Sequence, residues 1–308
     1  MKKICSISLV CLAMMGTAYA VETVTTTATA PVAVTAGMHN SSAVKTDPIL
    51  GINQPANMTK NGNSLYLEKP VNLDMYTKLR TMAENSYARL THLAENGDVK
   101  AQYALGYLYY KGEGVEQSDM RAFEWITRAA EAGYAKAQYE LGVIYYYGFG
   151  QIYASEKEAA IWYERAAQNG FAKAQYVAGR LYLKGYGVKK SYPKAFKYFQ
   201  RAADQSVVKA QYELGYMYQH GYGVKKSYEE AYKWYMRAAD KKDGDAAYAL
   251  GEMYRTGKFV KKSNVDAYNW FLKASQSEDQ LASSNANIAL TDLQKVLTPA
   301  ERQQLNLH

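Results

Sequence analysis

From residue 101 onward, apolar positions recur at two alternating spacings, and both belong to helices. Ala101, Leu105 and Leu108 follow i, i+4, i+7, while Ala122, Trp125 and Ala129 follow i, i+3, i+7. Each segment therefore carries an apolar stripe with the period of an α-helix, and together they predict a pair of amphipathic helices. The pair repeats. Ala101-Gln102-Tyr103, Ala137-Gln138-Tyr139, Ala174-Gln175-Tyr176, Ala210-Gln211-Tyr212 and Ala246-Ala247-Tyr248 succeed one another at steps of 36, 37, 36 and 36 residues. A fixed period of that size marks stacked supersecondary units. The extra residue of the second copy falls in Gly150-Gln151-Ile152-Tyr153-Ala154, a loop where an insertion disturbs no helix face.

Punctuation between the two helices is equally regular. Gly112-x-Gly114, Gly148-x-Gly150, Gly185-x-Gly187 and Gly221-x-Gly223 end the first helix where positive φ is needed. A serine then starts the second helix, and Ser155 with Glu158, Ser227 with Glu230 and Ser263 with Asp266 have the spacing of a capping box or its aspartate equivalent. The fifth copy reads Gly257-Lys258-Phe259, without the second glycine, so its turn is expected to differ.

One helical pair leaves its apolar face in water, whereas neighbours stacked in series enclose it, and about three units are needed for stability. Five units span residues 101–278. Ahead of them, 71–100 reads as a partial repeat serving as N-terminal cap, with Ala88, Leu93 and Ala94-Glu95-Asn96-Gly97 resembling the second half of a unit. Behind them, 279–308 reads as a capping helix region. The fold class this predicts is all-α, a solenoid of helix-turn-helix repeats.

The first 70 residues have a different character. Met1-Lys2-Lys3, an apolar run from Ile4 to Met15 and Ala18-Tyr19-Ala20 form the basic, hydrophobic and small-x-small regions of a cleaved signal peptide, 1–20. That run is too short for a transmembrane anchor, so no transmembrane segment is expected in the mature chain. Cys5 and Cys11, the chain's two cysteines, leave with it, and stability outside the cytosol must then come from packing. Residues 21–70 are rich in Thr, Ala and Pro and read as a disordered linker, because such a composition buries too little to offset chain entropy.

The pattern Ala-x-Ala-Gln-Tyr-x-Leu-Gly-x-x-Tyr, then Gly-x-Gly-Val, then Ala-x-x-Trp-x-x-Arg-Ala-Ala, seen in Lys100 to Ala130, resembles the Sel-one-like repeat (SLR) family, relatives of tetratricopeptide repeats. The resemblance covers about residues 100 to 275. It implies a right-handed α-α superhelix whose first helices line the concave side, with a role in protein assemblies; secreted bacterial members often act in envelope or host contacts.

Five copies of one unit supply an internal control: positions that every copy shares are those that stacking requires. Trp125, Trp162, Tyr198, Trp234 and Trp270 share a slot and read as packing between helices. Gly106, Gly142, Gly179, Gly215 and Gly251 share another, where a missing side chain lets helices approach. Arg128, Arg165, Arg201, Arg237 and Lys273 are expected to make carbonyl or carboxylate contacts between units. On the first helix, at about 100° per residue, Tyr103, Tyr107 and Tyr110 lie opposite Ala101, Leu105 and Leu108. Tyr103 has a counterpart in every copy, but the other two positions vary. They read Tyr107, Val143, Arg180, Tyr216 and Glu252, then Tyr110, Tyr146, Leu183, Gln219 and Arg255. These ten are the candidate partner-binding residues, since tyrosine and arginine combine contact area with hydrogen bonding.

Charge adds an alternative. The chain carries a formal +8, and Lys189-Lys190, Lys225-Lys226 and Lys261-Lys262 recur in the loops. Stacking would align them as a basic ridge able to meet a glycan, peptidoglycan or another anionic envelope component. No nucleic-acid partner is expected, because the ridge lacks arginine forks and a recognition motif. Catalysis finds no support. His39, His92, His220 and His308 are scattered, no nucleophile elbow or phosphate loop is present, and no metal or cofactor site emerges. A cell-wall hydrolase is the remaining enzymatic alternative, with no particular carboxylate pair selected. The expected function is an exported, non-catalytic scaffold, periplasmic or secreted from a Gram-negative bacterium, that binds a protein or peptide through its first-helix groove.

Overall fold

A computed structural model describes residues 85–307. The expected signal peptide, the linker and the start of the 71–100 cap lie outside the described residues. Within them the regular elements are helices. Residues 85–95 form α1; the repeats follow as α2 (Val99–Lys111) and α3 (Asp119–Glu131), α4 (Ala135–Tyr147) and α5 (Glu156–Gln168), α6 (Ala172–Lys184) and α7 (Tyr192–Asp204), α8 (Val208–His220) and α9 (Tyr228–Ala239), and α10 (Gly244–Thr256) and α11 (Asn264–Ser275). The chain ends in α12 (Gln280–Val296) and α13 (Pro299–Gln304). None of the described helices is long and apolar enough to cross a membrane.

The helices divide between two compact units. One comprises α1 to α3 together with Phe149–Gln151; the other comprises Gly133–Gly148 and everything from Ile152 onward. In the first, α2 packs on α3 and reaches α1 through Tyr87 and Tyr109, whose hydroxyls are 2.7 Å apart. In the second, every helix from α4 to α12 packs on the next in chain order, which is the serial packing of a solenoid.

The shared glycine is what lets each pair close. A β-carbon on Gly142 would lie 2.7 Å from the ring of Tyr163, and one on Gly179, Gly215 or Gly251 would lie 2.5 Å from the ring of Phe199, Tyr235 or Phe271. These rings are almost wholly buried. They sit one residue after the tryptophan slot, a position the tryptophan pattern hides. The shared first-helix tyrosine packs on the same ring: Tyr139 with Tyr163 (5.5 Å), Tyr176 with Phe199 (5.9 Å), Tyr212 with Tyr235 (5.8 Å) and Tyr248 with Phe271 (5.3 Å). The glycine and the tyrosine thus both pack on their own second helix, and within the larger unit α6, α8 and α10 also pack on the second helix that precedes them.

Neighbouring units of the stack are also joined by hydrogen bonds. Gln102 Nε2 donates to Ala94 O (3.0 Å) and Gln175 Nε2 to Ala167 O (3.2 Å), satisfying carbonyls at the end of the preceding second helix. The next unit returns the contact. Asn169 Nδ2 donates to Gly133 O (3.3 Å) and Gln138 Oε1 (2.9 Å), and Gln205 Nε2 donates to Gly170 O (3.0 Å) and Gln175 Oε1 (2.8 Å). Ala132 and Lys241 hold that slot in the first and fourth repeats, and there Gln102 Oε1 and Gln211 Oε1 are buried without a hydrogen-bond partner.

The turns follow the sequence pattern. Ser118, Ser155, Ser227 and Ser263 each accept a hydrogen bond from the backbone N–H three residues on. Gly223 has φ +69°, and a β-carbon there would come within 2.5 Å of the Tyr192 backbone in the preceding repeat. The fifth turn does not differ as expected: Phe259 takes φ +69°, the glycine conformation, without being glycine.

At the C-terminal end, α12 occupies the position of a sixth first helix. Asp279 caps it as Asp243 caps α10, and Ser283 Oγ donates to Ser275 O (2.6 Å) eight residues back, as Gln175 does in the third repeat. α13 closes the end with a capping box between Thr298 and Glu301.

Candidate functional site

In the first unit, Tyr107 is 41% exposed, and its ring lies 6.2 Å from that of Tyr110, which in turn packs on Phe149 at 5.7 Å. Lys111 Nζ stands 4.9 Å from the Tyr110 ring. The two tyrosines thus form one patch at the C-terminal half of α2.

In the second unit the remaining eight candidates do not behave alike. Val143 and Leu183 are each only 8% exposed, so what varies at those two positions is packing, and they do not offer side chains to a partner. Helical periodicity within one repeat could not reveal this, because it assigns that face to solvent without knowing what packs beside it. Tyr146, Tyr216, Gln219 and Glu252 are half-buried and Arg255 is exposed. Gln219 Oε1 accepts from the Tyr235 hydroxyl at 3.1 Å, and Arg255 forms a two-bond fork with Glu252 (2.8 and 2.6 Å) on the same helix.

Tyr216 belongs to a larger aromatic group that sequence reasoning missed. Its ring lies 4.2 Å from that of His220; His220 stacks on Tyr222 (5.4 Å, 19°), and Tyr222 stacks on Tyr192 (4.7 Å, 8°). Lys190 Nζ covers the far end, 4.7 Å from the Tyr192 ring. His220 Nδ1 and Tyr216 O are 2.9 Å apart, which orients the imidazole. The signal lay in the loop: Glu113, Phe149, Tyr186, Tyr222 and Lys258 differ between flanking positions that are shared.

Arg180 has a different role from its neighbours in the candidate row. Its Nη1 bonds Glu213 Oε1 at 2.7 Å, bridging α6 and α8, and Glu213 is 4% exposed. Burial pushes the Glu213 carboxyl above its ordinary value, and Arg180 offsets only part of that. A second charged cluster ties α8, α10 and α12: Lys209 Nζ meets Asp243 (3.2 Å), Asp245 (3.0 Å) and Asp279 (3.5 Å). Burial would lower Lys209, but these carboxylates outweigh it and hold the ammonium above its usual value.

The arginine series is corrected by the structure. Arg128, Arg165 and Arg237 lie over the tryptophan three residues earlier on their own helix, at 4.6, 4.5 and 4.6 Å from the Trp125, Trp162 and Trp234 rings, and Lys273 lies 4.0 Å from Trp270. The i, i+3 spacing puts cation and ring on one face, so the attraction is within a helix instead of between units. The tryptophans themselves keep the packing role: Trp270 of the fifth repeat packs against the core of the fourth. Where Tyr198 replaces tryptophan, its ring stacks on Tyr182 (5.8 Å, 10°) and both hydroxyls donate to Glu164 Oε1 of the preceding repeat (2.9 and 3.0 Å).

Among the described residues no cluster of three or more His, Cys, Asp or Glu could hold a metal ion. A shallow depression on α12 is lined by Gln280, Ser283, Ser284, Asn287, Ile288 and Thr291, which supply hydrogen bonds but no acid–base group.

Comparison with known proteins matches these helix pairs one for one. A family model described as Sel1 repeat matches residues 99–134, 135–171, 172–207, 208–243 and 244–279. Among solved structures, a protective antigen present in uropathogenic Escherichia coli strains, displaying an SLR fold, is 34% identical with a TM-score of 0.61 over 67% of this chain; the match spans 43% of that protein, less than half its length. A Sel1 repeat protein from Oxalobacter formigenes is 33% identical with a TM-score of 0.60, over 69% of this chain and 86% of that one. None of the curated proteins compared with the chain matches it.

Proposed function

The chain belongs to the Sel1 repeat family, whose members are generally protein-interaction scaffolds, and from that membership we propose that it is an exported scaffold that captures a protein or peptide through the variable positions of its first helices. The observation that carries the proposal is a division between repeat copies. The glycine, the buried ring and the shared tyrosine recur because stacking needs them, whereas Tyr107, Tyr146, Tyr216, Glu252 and Arg255 differ from copy to copy and retain accessible surface. Half-exposed tyrosines suit capture of an extended segment, since a ring offers area with little rotamer freedom to lose.

The basic, apolar and small-x-small pattern of residues 1–20 supports export to the periplasm or to the outside of a Gram-negative cell.

The test is photo-crosslinking in the native host, with the probe at Tyr107 or Tyr216 and controls at Arg128 and Arg237. Labelling of a defined protein from the first pair and not the second is expected; equal labelling from both pairs would remove the first-helix face as the site. Intact mass of the exported chain, beginning at Val21, checks the leader.

A further inference from the structure

A different surface is formed by the turns of the repeats. The turn between the two helices of each repeat lies at the same end of the pair, and successive turns in the larger unit lean on their predecessors: the Gly223 turn meets the start of α7 at Tyr192, and Phe259 packs on Tyr232 of α9 at 5.5 Å. The turns therefore line one edge of that unit. Along it stand Lys189-Lys190, Lys225-Lys226 and Lys261-Lys262, all exposed, and none of the six takes part in an ion pair among the described residues. The carboxylates at the helix starts beside these turns include Glu156, whose backbone meets the Gly187 turn, Glu229 and Glu230, both held by Lys233 at 2.8 Å, and Asp266. The edge thus carries more cations than carboxylates, and its six loop lysines are not held in ion pairs among the described residues.

The fifth turn adds an apolar element to this row. Phe259 is 53% exposed, lies between Lys258 and Lys261, and holds φ +69° where other copies have glycine. L-residues avoid that conformation, yet a bulky aromatic is kept there whose ring packs on Tyr232 while about half of it stays in solvent.

We propose that this edge docks on an anionic lipid surface, the lysines meeting headgroups and Phe259 entering the interface. A flat charged surface can engage all three turns at once, and lysines on flexible stems act as point charges that need no fixed ligand geometry. An exposed aromatic among lysines adds the apolar contact that interfacial binding requires. A nucleic acid is disfavoured by the rings: Tyr222 is stacked between Tyr192 and His220, and Lys190 covers the outer side of Tyr192, leaving no free face on either for a base.

The experiment is sedimentation of the full chain with phosphatidylcholine vesicles, with and without phosphatidylglycerol. Residues outside the turns are identical in every variant, so their contribution is common to all. Binding is expected only with phosphatidylglycerol, weakening steeply with added salt. Each lysine contributes about fivefold near the surface, so Lys225→Gln with Lys226→Gln should lower partitioning roughly thirtyfold. Phe259→Gly should lower it about tenfold by removing the apolar contact, while its melting temperature stays level or rises because the strained φ now belongs to glycine. Equal binding to neutral vesicles, or indifference to the lysine pair, would overturn the proposal. So would heparin binding as tight as vesicle binding together with unchanged vesicle binding by Phe259→Gly, which would make the edge a general polyanion site.

Discussion

Gly215 and Tyr235 are in such close apposition that a single carbon cannot be added between them: a β-carbon on the glycine would stand 2.5 Å from the tyrosine ring. The ring is 1% exposed, so it could move aside only by displacing its buried neighbours. Gly215→Ala gains helix propensity of about 1 kcal/mol but overpacks the core at a cost of about 1–3 kcal/mol. Net destabilisation is expected, read as a lower urea midpoint. Adding Tyr235→Leu should recover part of the loss in the double variant, since the clash is with the ring.

The inter-repeat hydrogen bonds predict a gain as well as a loss. Lys241 stands where Asn169 and Gln205 donate, and Gln211 Oε1 is buried with no partner. Lys241→Gln supplies the donor and should stabilise by about 1 kcal/mol, whereas Gln205→Ala should destabilise by about 1–2 kcal/mol by orphaning a buried acceptor. Denaturant titration of the two variants checks both signs.

These two cases show how far the sequence reached. The repeat period, the glycine slot, the serine caps and the turn glycines were legible because they recur with fixed spacing, and spacing is what a helix converts into a face. The buried ring at Tyr163, Phe199, Tyr235 and Phe271 was not, because Ile126 holds the same slot in the first copy and the tryptophan next to it carries the stronger pattern. At the candidate site, Val143 and Leu183 are buried, which the periodicity of a single helix does not reveal. The Tyr192, Tyr222, His220 and Tyr216 column was invisible because it joins a loop residue to residues at the start of α7 and the end of α8, a pairing that no helical period encodes.

Glu213 predicts a pH effect with a defined sign. Its folded carboxyl titrates above the ordinary 4.5 because burial outweighs Arg180. In the window from 4.5 up to the folded value, the folded chain holds a proton that the unfolded chain has released, so this group's contribution to stability falls as pH rises. Asp279 has the opposite sign: its folded value is lowered, and the stability it supplies is lost as pH drops below its ordinary 3.8. Unfolding free energy against pH should therefore have a more negative slope through the first window in the native chain than in Glu213→Gln. Identical slopes would contradict the assignment.

Cation and ring on one helix face make a smaller prediction. Arg237→Gln removes the charge over Trp234 and leaves the inter-helix contacts intact, so a loss of about 0.5–1 kcal/mol is expected. Were Arg237 instead a bridge between units, the loss would be larger and would be shared by the residue it bridged, which a double-mutant cycle with Trp234→Phe would expose.

The division between shared spine and variable contact surface is tested most directly by measuring partner crosslinking and thermal unfolding on the same set of variants. Tyr107→Ala should lose capture of the partner by crosslinkers placed on α2, and Arg255→Ala by crosslinkers placed on the first helices of the larger unit, while both melt close to the native chain. Gly215→Ala should melt lower and retain capture below its transition. If the two exposed-position variants instead unfold early with capture intact, or capture follows melting temperature across the whole set, then the variable positions serve the stack and the partner binds elsewhere.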